Sequence, residues 1–169
     1  MSIVGARIEL RGKFAAMYAP GHLFHDEVRE AERQAFQAAL VHWHAKMLPN
    51  HFKPNAKQVY RYEMRTRRYQ ERKQRVMGHN RYLVWTGESQ RQAERKIVVR
   101  STKKETTGRI SVAKAFNFSG RAGMPDMKGE VKKILKREKK VLFRLIHDEV
   151  VRRLNPEGDR RLRVAVIPI

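Results

Sequence analysis

Apolar residues between His25 and Leu48 recur at intervals of three and four: Val28, Ala31, Ala35, Ala39, Trp43 and Met47, with Phe36 and Leu40 widening the stripe. That spacing predicts a long amphipathic helix. Asp26, Glu27 and Glu30 fall in its first turn, where the helix dipole favours negative charge, and Pro49 ends it. A second stripe starts at Met127 and continues through Val131, Ile134 or Leu135, Glu138, Val141 or Leu142, Leu145 and Val150 to Leu154. Asp126 is its expected N-cap, and Asn155-Pro156-Glu157-Gly158 its stop. The other face of this helix carries Lys128, Lys132, Lys133, Lys136, Arg137, Lys139, Lys140 and Arg144, so it must meet solvent or a partner.

Strand signals occupy the remainder. Ile3, Ala6, Ile8 and Leu10 alternate as an edge strand would, and Tyr18-Ala19-Pro20-Gly21 reads as a turn. Tyr82 to Thr86 is aromatic and β-branched and is closed by Gly87, the pattern of a short buried strand stopped by a turn. Further strands are expected at Lys96 to Thr102 and at Arg109 to Phe118, where Ile110, Val112, Phe116 and Phe118 share one face. The polar run Lys103 to Gly108 joins them as a loop, and Gln90 to Arg95 supplies a helical turn. A glycine-rich loop, Ser119 to Pro125, leads into the second helix. Leu162, Val164 and Val166 alternate with Arg161, Arg163 and Ala165, giving a last strand within residues 160–169 that could pair with a neighbouring subunit. The fold class expected is α+β: two long amphipathic helices packed on a mostly antiparallel sheet of about four strands, in one domain spanning residues 1–169.

The segment 51–81 departs from every such pattern. Between His51 and Asn80 stand nine basic residues, Lys53, Lys57, Arg61, Arg65, Arg67, Arg68, Arg72, Lys73 and Arg75, against Glu63 and Glu71 alone. Tyr60, Tyr62 and Tyr69 are interleaved. Pro54 and Gly78 bracket a stretch of poor periodicity, which reads as an extended basic arm facing solvent, polyanion or an acidic partner. Arginine and tyrosine together suit phosphate gripping and base stacking, and suit protein interfaces equally well.

Charge makes this local feature general. With 38 Lys and Arg against 17 Asp and Glu the formal charge is +21, so the chain repels itself and calls for an anionic companion. Cysteine is absent, which excludes a disulfide framework and thiolate metal sites. No apolar run approaches membrane-spanning length, and Met1 to Arg7 lacks the apolar run of a signal peptide; the expectation is a soluble protein with no membrane partner.

Candidate chemistry is sparse. His42 and His44, two apart on a helix, point to different sides and cannot share an ion, and His22 and His25 precede the helix without a further ligand. The acids are scattered: Asp26, Glu27 and Glu30, like Asp148 and Glu149, suit capping and solubility better than a metal-dependent nuclease. Ser89 and Ser119 have no neighbouring base or elbow, and Gly120-Arg121-Ala122-Gly123 is neither a Walker sequence nor a dinucleotide fingerprint. The expectation is a protein that is not an enzyme and needs no cofactor or metal.

Several short motifs resemble one family. His51-Phe52, Tyr60-Arg61-Tyr62, Arg65-Thr66-Arg67-Arg68-Tyr69, Lys73, Gly78-His79, Leu83-Val84-Trp85-Thr86-Gly87 and Pro125-Asp126-Met127 are similar, in that order, to the virion-morphogenesis proteins of tailed bacteriophages: neck, tail-completion or minor tail components of the head-to-tail connector. The resemblance covers roughly residues 36–155, and Ser89 and Gln92 depart from the pattern after Thr-Gly. It implies a sheet flanked by helices, a structural role, assembly with copies of itself as a ring around the DNA channel, contact with portal, adaptor and tail proteins, and residence in the virion after assembly in the host cytoplasm. Lys53, Lys57, Tyr60, Arg61, Tyr62, Arg65, Arg67, Arg68, Tyr69, Arg72, Lys73 and Arg75, with Lys132, Lys136 and Lys139, are then the expected partner-facing or DNA-facing residues, and Thr86, Gly87 and Asp126 the turn and caps. The alternative is a nucleoid- or ribosome-associated module that binds nucleic acid through the same Tyr/Arg segment.

Overall fold

A computed structural model describes residues 4–10, 12–18, 25–102, 106–112, 125–154 and 163–168. Helices and small sheets are mixed: strands β1 (Val4–Leu10) and β2 (Gly12–Tyr18), helices α1 (His25–His42), α2 (Ala56–Tyr60), α3 (Arg67–Met77) and α4 (Glu88–Arg95), strands β3 (Ile97–Ser101) and β4 (Thr106–Val112), helices α5 (Met127–Val131) and α6 (Lys136–Leu154), and strand β5 (Arg163–Pro168). The strands do not form the expected sheet of about four. One sheet has the order β1-β4-β3, and a separate pair joins β2 to β5. β2 and β5 run antiparallel from Gly12 opposite Pro168 to Tyr18 opposite Arg163, with an irregularity between Ala16 and Tyr18. The C-terminal strand thus has a partner within its own chain.

By contacts the chain divides into two compact units, each assembled from separate stretches of sequence. The first comprises residues 1–7, 44–98 and 109–135; the second comprises 8–43, 99–108 and 136–169.

In the second unit, α1 packs along α6, and α6 also touches β5. The expected stripes are the faces used: Ala31, Ala35, Phe36, Ala39 and Leu40 of α1 and Leu142, Ile146, Val150 and Leu154 of α6 are all buried. Ala31, Ala35 and Ala39 lie one turn apart, so one side of α1 is a buried row of small side chains. α1 ends earlier than its periodicity suggests. It loosens into a π-helical turn at Trp43–Met47 and then a 3-10 turn at Leu48–Phe52, with Pro49 at the entry to the latter. The apolar rhythm runs on through Met47 and Leu48, which explains why the spacing alone extends the helix.

The second long helix is also interrupted. Asp126 caps α5 as expected, its carboxylate accepting from the Gly129 amide at 2.8 Å, but the helix stops at Val131 and restarts at Lys136.

Residues 51–81, expected as an extended arm, are folded into the first unit. They form the 3-10 turn, α2 and α3, and they bury His51, Phe52, Ala56, Tyr60, Tyr62 and Lys73. The expected strand at Tyr82–Thr86 is also absent; these residues form turns and bends. Leu83 adopts a left-handed backbone, φ 56°, which costs an L-residue roughly 1 kcal/mol and cannot continue a strand. Tyr82, Leu83 and Val84 are nonetheless buried, so the apolar run is core material delivered by a turn. Gly87, φ 81°, stands at the start of α4, whose residues 90–95 were expected to be helical.

β3 matches the expected strand, whereas β4 begins at Thr106, inside the expected loop. The turn residues Ala19-Pro20-Gly21, His22, the loop centre Lys103–Glu105, Phe116 and Phe118, the loop Ser119–Met124 including Gly120 and Gly123, the stop Asn155–Gly158 and Leu162 lie outside the described residues.

Candidate functional site

The basic, tyrosine-rich segment supplies the interior of the first unit. His51 stacks on Tyr60 with ring centroids 3.8 Å apart, and Tyr60 and Tyr62 lie 5.7 Å apart and nearly parallel. The His51 Nδ1 and the Tyr62 hydroxyl share a hydrogen bond of 2.5 Å. Tyr82 continues the series at 6.3 Å from Tyr62. Burial holds the His51 imidazole well below its ordinary range, at about 4, although the backbone carbonyls of Glu130 and Lys133 oppose that in part. The ring is therefore neutral near pH 7.

Cations line this aromatic row. Arg65 lies 5.0 Å from the Tyr82 ring centre, Lys57 lies 5.6 Å from the same ring, and Lys133 lies 5.7 Å from that of Tyr62. Arg65 is itself pinned by Glu130 of α5 through contacts of 2.5 and 3.1 Å, and the same carboxylate accepts from the Glu63 amide at 2.9 Å. Lys133 donates to the Arg61 carbonyl at 3.1 Å. In this way residues 61–65 are tied to α5 and the residues after it.

A second cluster seats α3. Its N-cap is Thr66, whose hydroxyl accepts from the Tyr69 amide, and Gly78, φ 71°, closes its C-terminus. Lys73 is its sole buried residue. The Lys73 ammonium donates to the Arg81 carbonyl and lies 5.9 Å from each of the Tyr69 and Trp85 ring centres. Burial, aided by the nearby charges of Arg65 and Arg81, lowers its pKa to about 8. Arg81 in turn donates to the Phe52 carbonyl at 2.6 and 3.1 Å and to Gln90 at 3.0 Å.

The expected partner-facing residues therefore part into two sets. Tyr60, Tyr62, Arg65 and Lys73 are internal, and Lys57 is half-buried with its ammonium 2.9 Å from the Met64 sulfur. Lys53, Arg61, Arg67, Arg68, Arg72, Arg75, Lys136 and Lys139 are exposed, Tyr69 is 40% exposed, and Lys132 is half-buried. Thr86 is exposed within its bend. Sequence reasoning did not assign Glu130, Arg81, Trp85 or His51 a place in this network. The only signal was the isolated acid at Glu130 in a basic run.

No protein-family model, no curated protein and no solved structure matches this chain. Its function must be argued from the arrangement itself.

Other chemical candidates gain little. An open cleft lined by His44, Pro49, Glu94, Arg95 and Lys96 carries both signs of charge, and the His44 Nε2 is engaged with the Ala93 carbonyl at 2.8 Å. Among the described residues no group of three His, Asp or Glu side chains could hold a metal ion. No described helix is long and apolar enough to cross a membrane.

Proposed function

We propose that this chain is a structural, non-catalytic component of the head-to-tail connector of a tailed bacteriophage, of the neck, tail-completion or minor tail type, assembled as a ring around the DNA channel in the virion. One observation carries the reading. The motifs on which the resemblance rests are scattered from residue 51 to residue 127, yet His51, Tyr60, Tyr62, Arg65, Lys73 and the Asp126-capped α5 belong to one packed network. That the motif residues pack together supports reading them as one set.

Charge supports the same role. The exposed Lys53, Arg61, Arg68, Arg72 and Arg75 suit nonspecific contact with phosphates in a channel or with acidic faces of portal, adaptor and tail proteins. For the alternative, a base-stacking nucleic-acid module, Tyr60 and Tyr62 offer no platform because they are buried and stacked on each other and on His51, which leaves Tyr69, 40% exposed, as the one interleaved tyrosine at the surface. β5 is bonded to β2 in a two-stranded sheet, and its second edge could receive a strand of the next protomer.

Mass photometry and negative-stain imaging of the purified full chain, with and without the products of neighbouring genes, test the reading. Closed rings of this chain, alone or on a portal assembly, are the expected result. A chain that stays monomeric under every such condition overturns it.

A further inference from the structure

α3 is an unusual helix. A surface helix of a globular protein ordinarily shows a continuous apolar stripe to the core, and α3 has none: Lys73 is its one buried residue, while Tyr69 and Val76 are 40% and 58% exposed. A helix of this composition is marginal by itself in water. What holds it is a set of point fixings, namely the Thr66 cap, the Lys73 bond to the Arg81 carbonyl, the Gln70 amide donating to the Arg65 carbonyl at 2.7 Å, and Gly78 at its end. α3 is thus held by point contacts at Thr66, Gln70, Lys73 and Gly78 and by the Tyr69 ring against Trp85, with most of its surface exposed.

Its outer face is uniform. Arg68, Arg72 and Arg75 follow one another by four and then three residues, so they share one side, and all are exposed. The helix holds a single acid, Glu71, and Arg67 takes it at 2.7 Å. Arg68 and Arg75 stand about 10 Å apart along the helix, a length over which a duplex presents about three phosphates on each strand. Tyr69 and Val76 lie about a quarter-turn away, so the arginine face has no apolar centre of the kind a protein interface needs. Guanidinium groups suit phosphate oxygens in geometry as well as charge. The lysine-rich face of α6 differs, because α6 has a buried apolar stripe and its charged side is the solvated back of an ordinary amphipathic helix.

We infer that α3 is a preorganised contact for the sugar-phosphate backbone of duplex DNA, made by Arg68, Arg72 and Arg75 without reading sequence. The inference rests on the channel role proposed above and names the surface that would meet the genome. The test is fluorescence anisotropy of the full chain on short labelled duplexes of two unrelated sequences across a salt series. The triple variant Arg68→Gln, Arg72→Gln, Arg75→Gln should weaken binding at least about tenfold at 0.1 M salt and reduce the slope of log affinity against log salt by about 3, equally for both duplexes. A charge-matched control, Arg137→Gln, Lys140→Gln, Arg144→Gln on α6, should leave the slope unchanged. Circular dichroism should be unaltered in both variants.

An unchanged slope in the α3 variant, an equal loss in the α6 variant, or no duplex binding by the parent would overturn the inference. Ring formation is scored separately on the same proteins. A parent that forms rings but binds duplex without regard to α3 sinks this inference alone. A parent that never assembles yet loses duplex binding on the α3 substitutions sinks the connector reading alone.

Discussion

The guanidinium of Arg65 and the carboxylate of Glu130, 65 residues apart in sequence, form a two-point ion pair at 2.5 and 3.1 Å with side chains only 9% and 5% exposed. Removing one partner of such a pair leaves a buried charge uncompensated, which costs about 3–5 kcal/mol, whereas replacing both with apolar groups is often neutral. Glu130→Ala should therefore lower the urea midpoint severely, and Arg65→Met with Glu130→Leu should recover most of the loss. A Glu130→Ala variant as stable as the parent would show that the pair does not close in solution.

Tyr62 and Tyr82 lie in the same aromatic row but differ in what their hydroxyls do. That of Tyr62 meets His51, while that of Tyr82 is buried with no hydrogen-bond partner among the described residues. Tyr62→Phe should cost about 1–3 kcal/mol because the His51 nitrogen is left unpaired, and Tyr82→Phe should be neutral or slightly stabilising because a desolvated hydroxyl is removed. Chemical denaturation of the two variants side by side checks the contrast. Equal losses would contradict the assigned partners.

These two cases show why the first unit was hard to read in the sequence while the second was easy. In the second unit α1 packs along α6, Ala31, Ala35 and Ala39 of the one and Leu142, Ile146 and Val150 of the other are buried, and apolar periodicity alone selects both sets. Beside Leu48, Phe52, Leu83, Val84 and Val131, the first unit takes into its interior His51, Tyr60, Tyr62, Arg65, Lys73 and Glu130, polar or charged side chains that an apolar pattern does not mark. Each is admitted by a partner that sequence spacing cannot reveal: Glu130 for Arg65, the Arg81 carbonyl for Lys73, Tyr62 for His51. The strand expected at Tyr82–Thr86 failed for a related reason, since composition records that Leu83 is apolar but not that its φ is 56°. The Asp126 cap was legible because it needs only a side-chain oxygen and an amide three residues on.

Close approach in the second unit gives a packing prediction. Ala35 is fully buried on the face of α1, the helix that packs along α6. Enlarging it to Leu forces side chains off their rotamers or the helices apart, at a cost of about 1–3 kcal/mol. Ala35→Leu should thus unfold at lower urea than the parent, while Val41→Leu, at a site 51% exposed, should change little. Thermal melts of both variants measure the difference.

Lys73 predicts an unusual alkaline response. Its folded pKa of about 8 lies below the ordinary 10.5, so between these values the unfolded chain binds the proton that the folded chain has released. Stability contributed by this group therefore rises as pH increases from about 8 to 10.5, by roughly 1–2 kcal/mol once solvent screening is allowed for. The neutral amine still donates to the Arg81 carbonyl, so α3 should stay seated. Comparing parent and Lys73→Met across that window isolates the effect, and a stability difference that is flat with pH would refute it.

His51 sets the acid limit. Its folded pKa of about 4 lies below the ordinary 6.5 because burial disfavours the imidazolium. Above pH 6.5 the ring is neutral in both states, and below pH 4 it is charged in both. Between them the unfolded state alone holds the proton, so stability falls as pH drops through the window, by about 3 kcal/mol in all. His51→Asn keeps a polar atom near Tyr62 and removes the titration. The stability gap between parent and His51→Asn should therefore shrink by about that amount from pH 7 to pH 4 and then level off. Since Tyr60 and Tyr62 pack on this ring, tyrosine fluorescence should report the same midpoint as the urea transition. A gap independent of pH would mean that His51 is solvated or already charged, and with it would go the dry aromatic row on which the first unit is built.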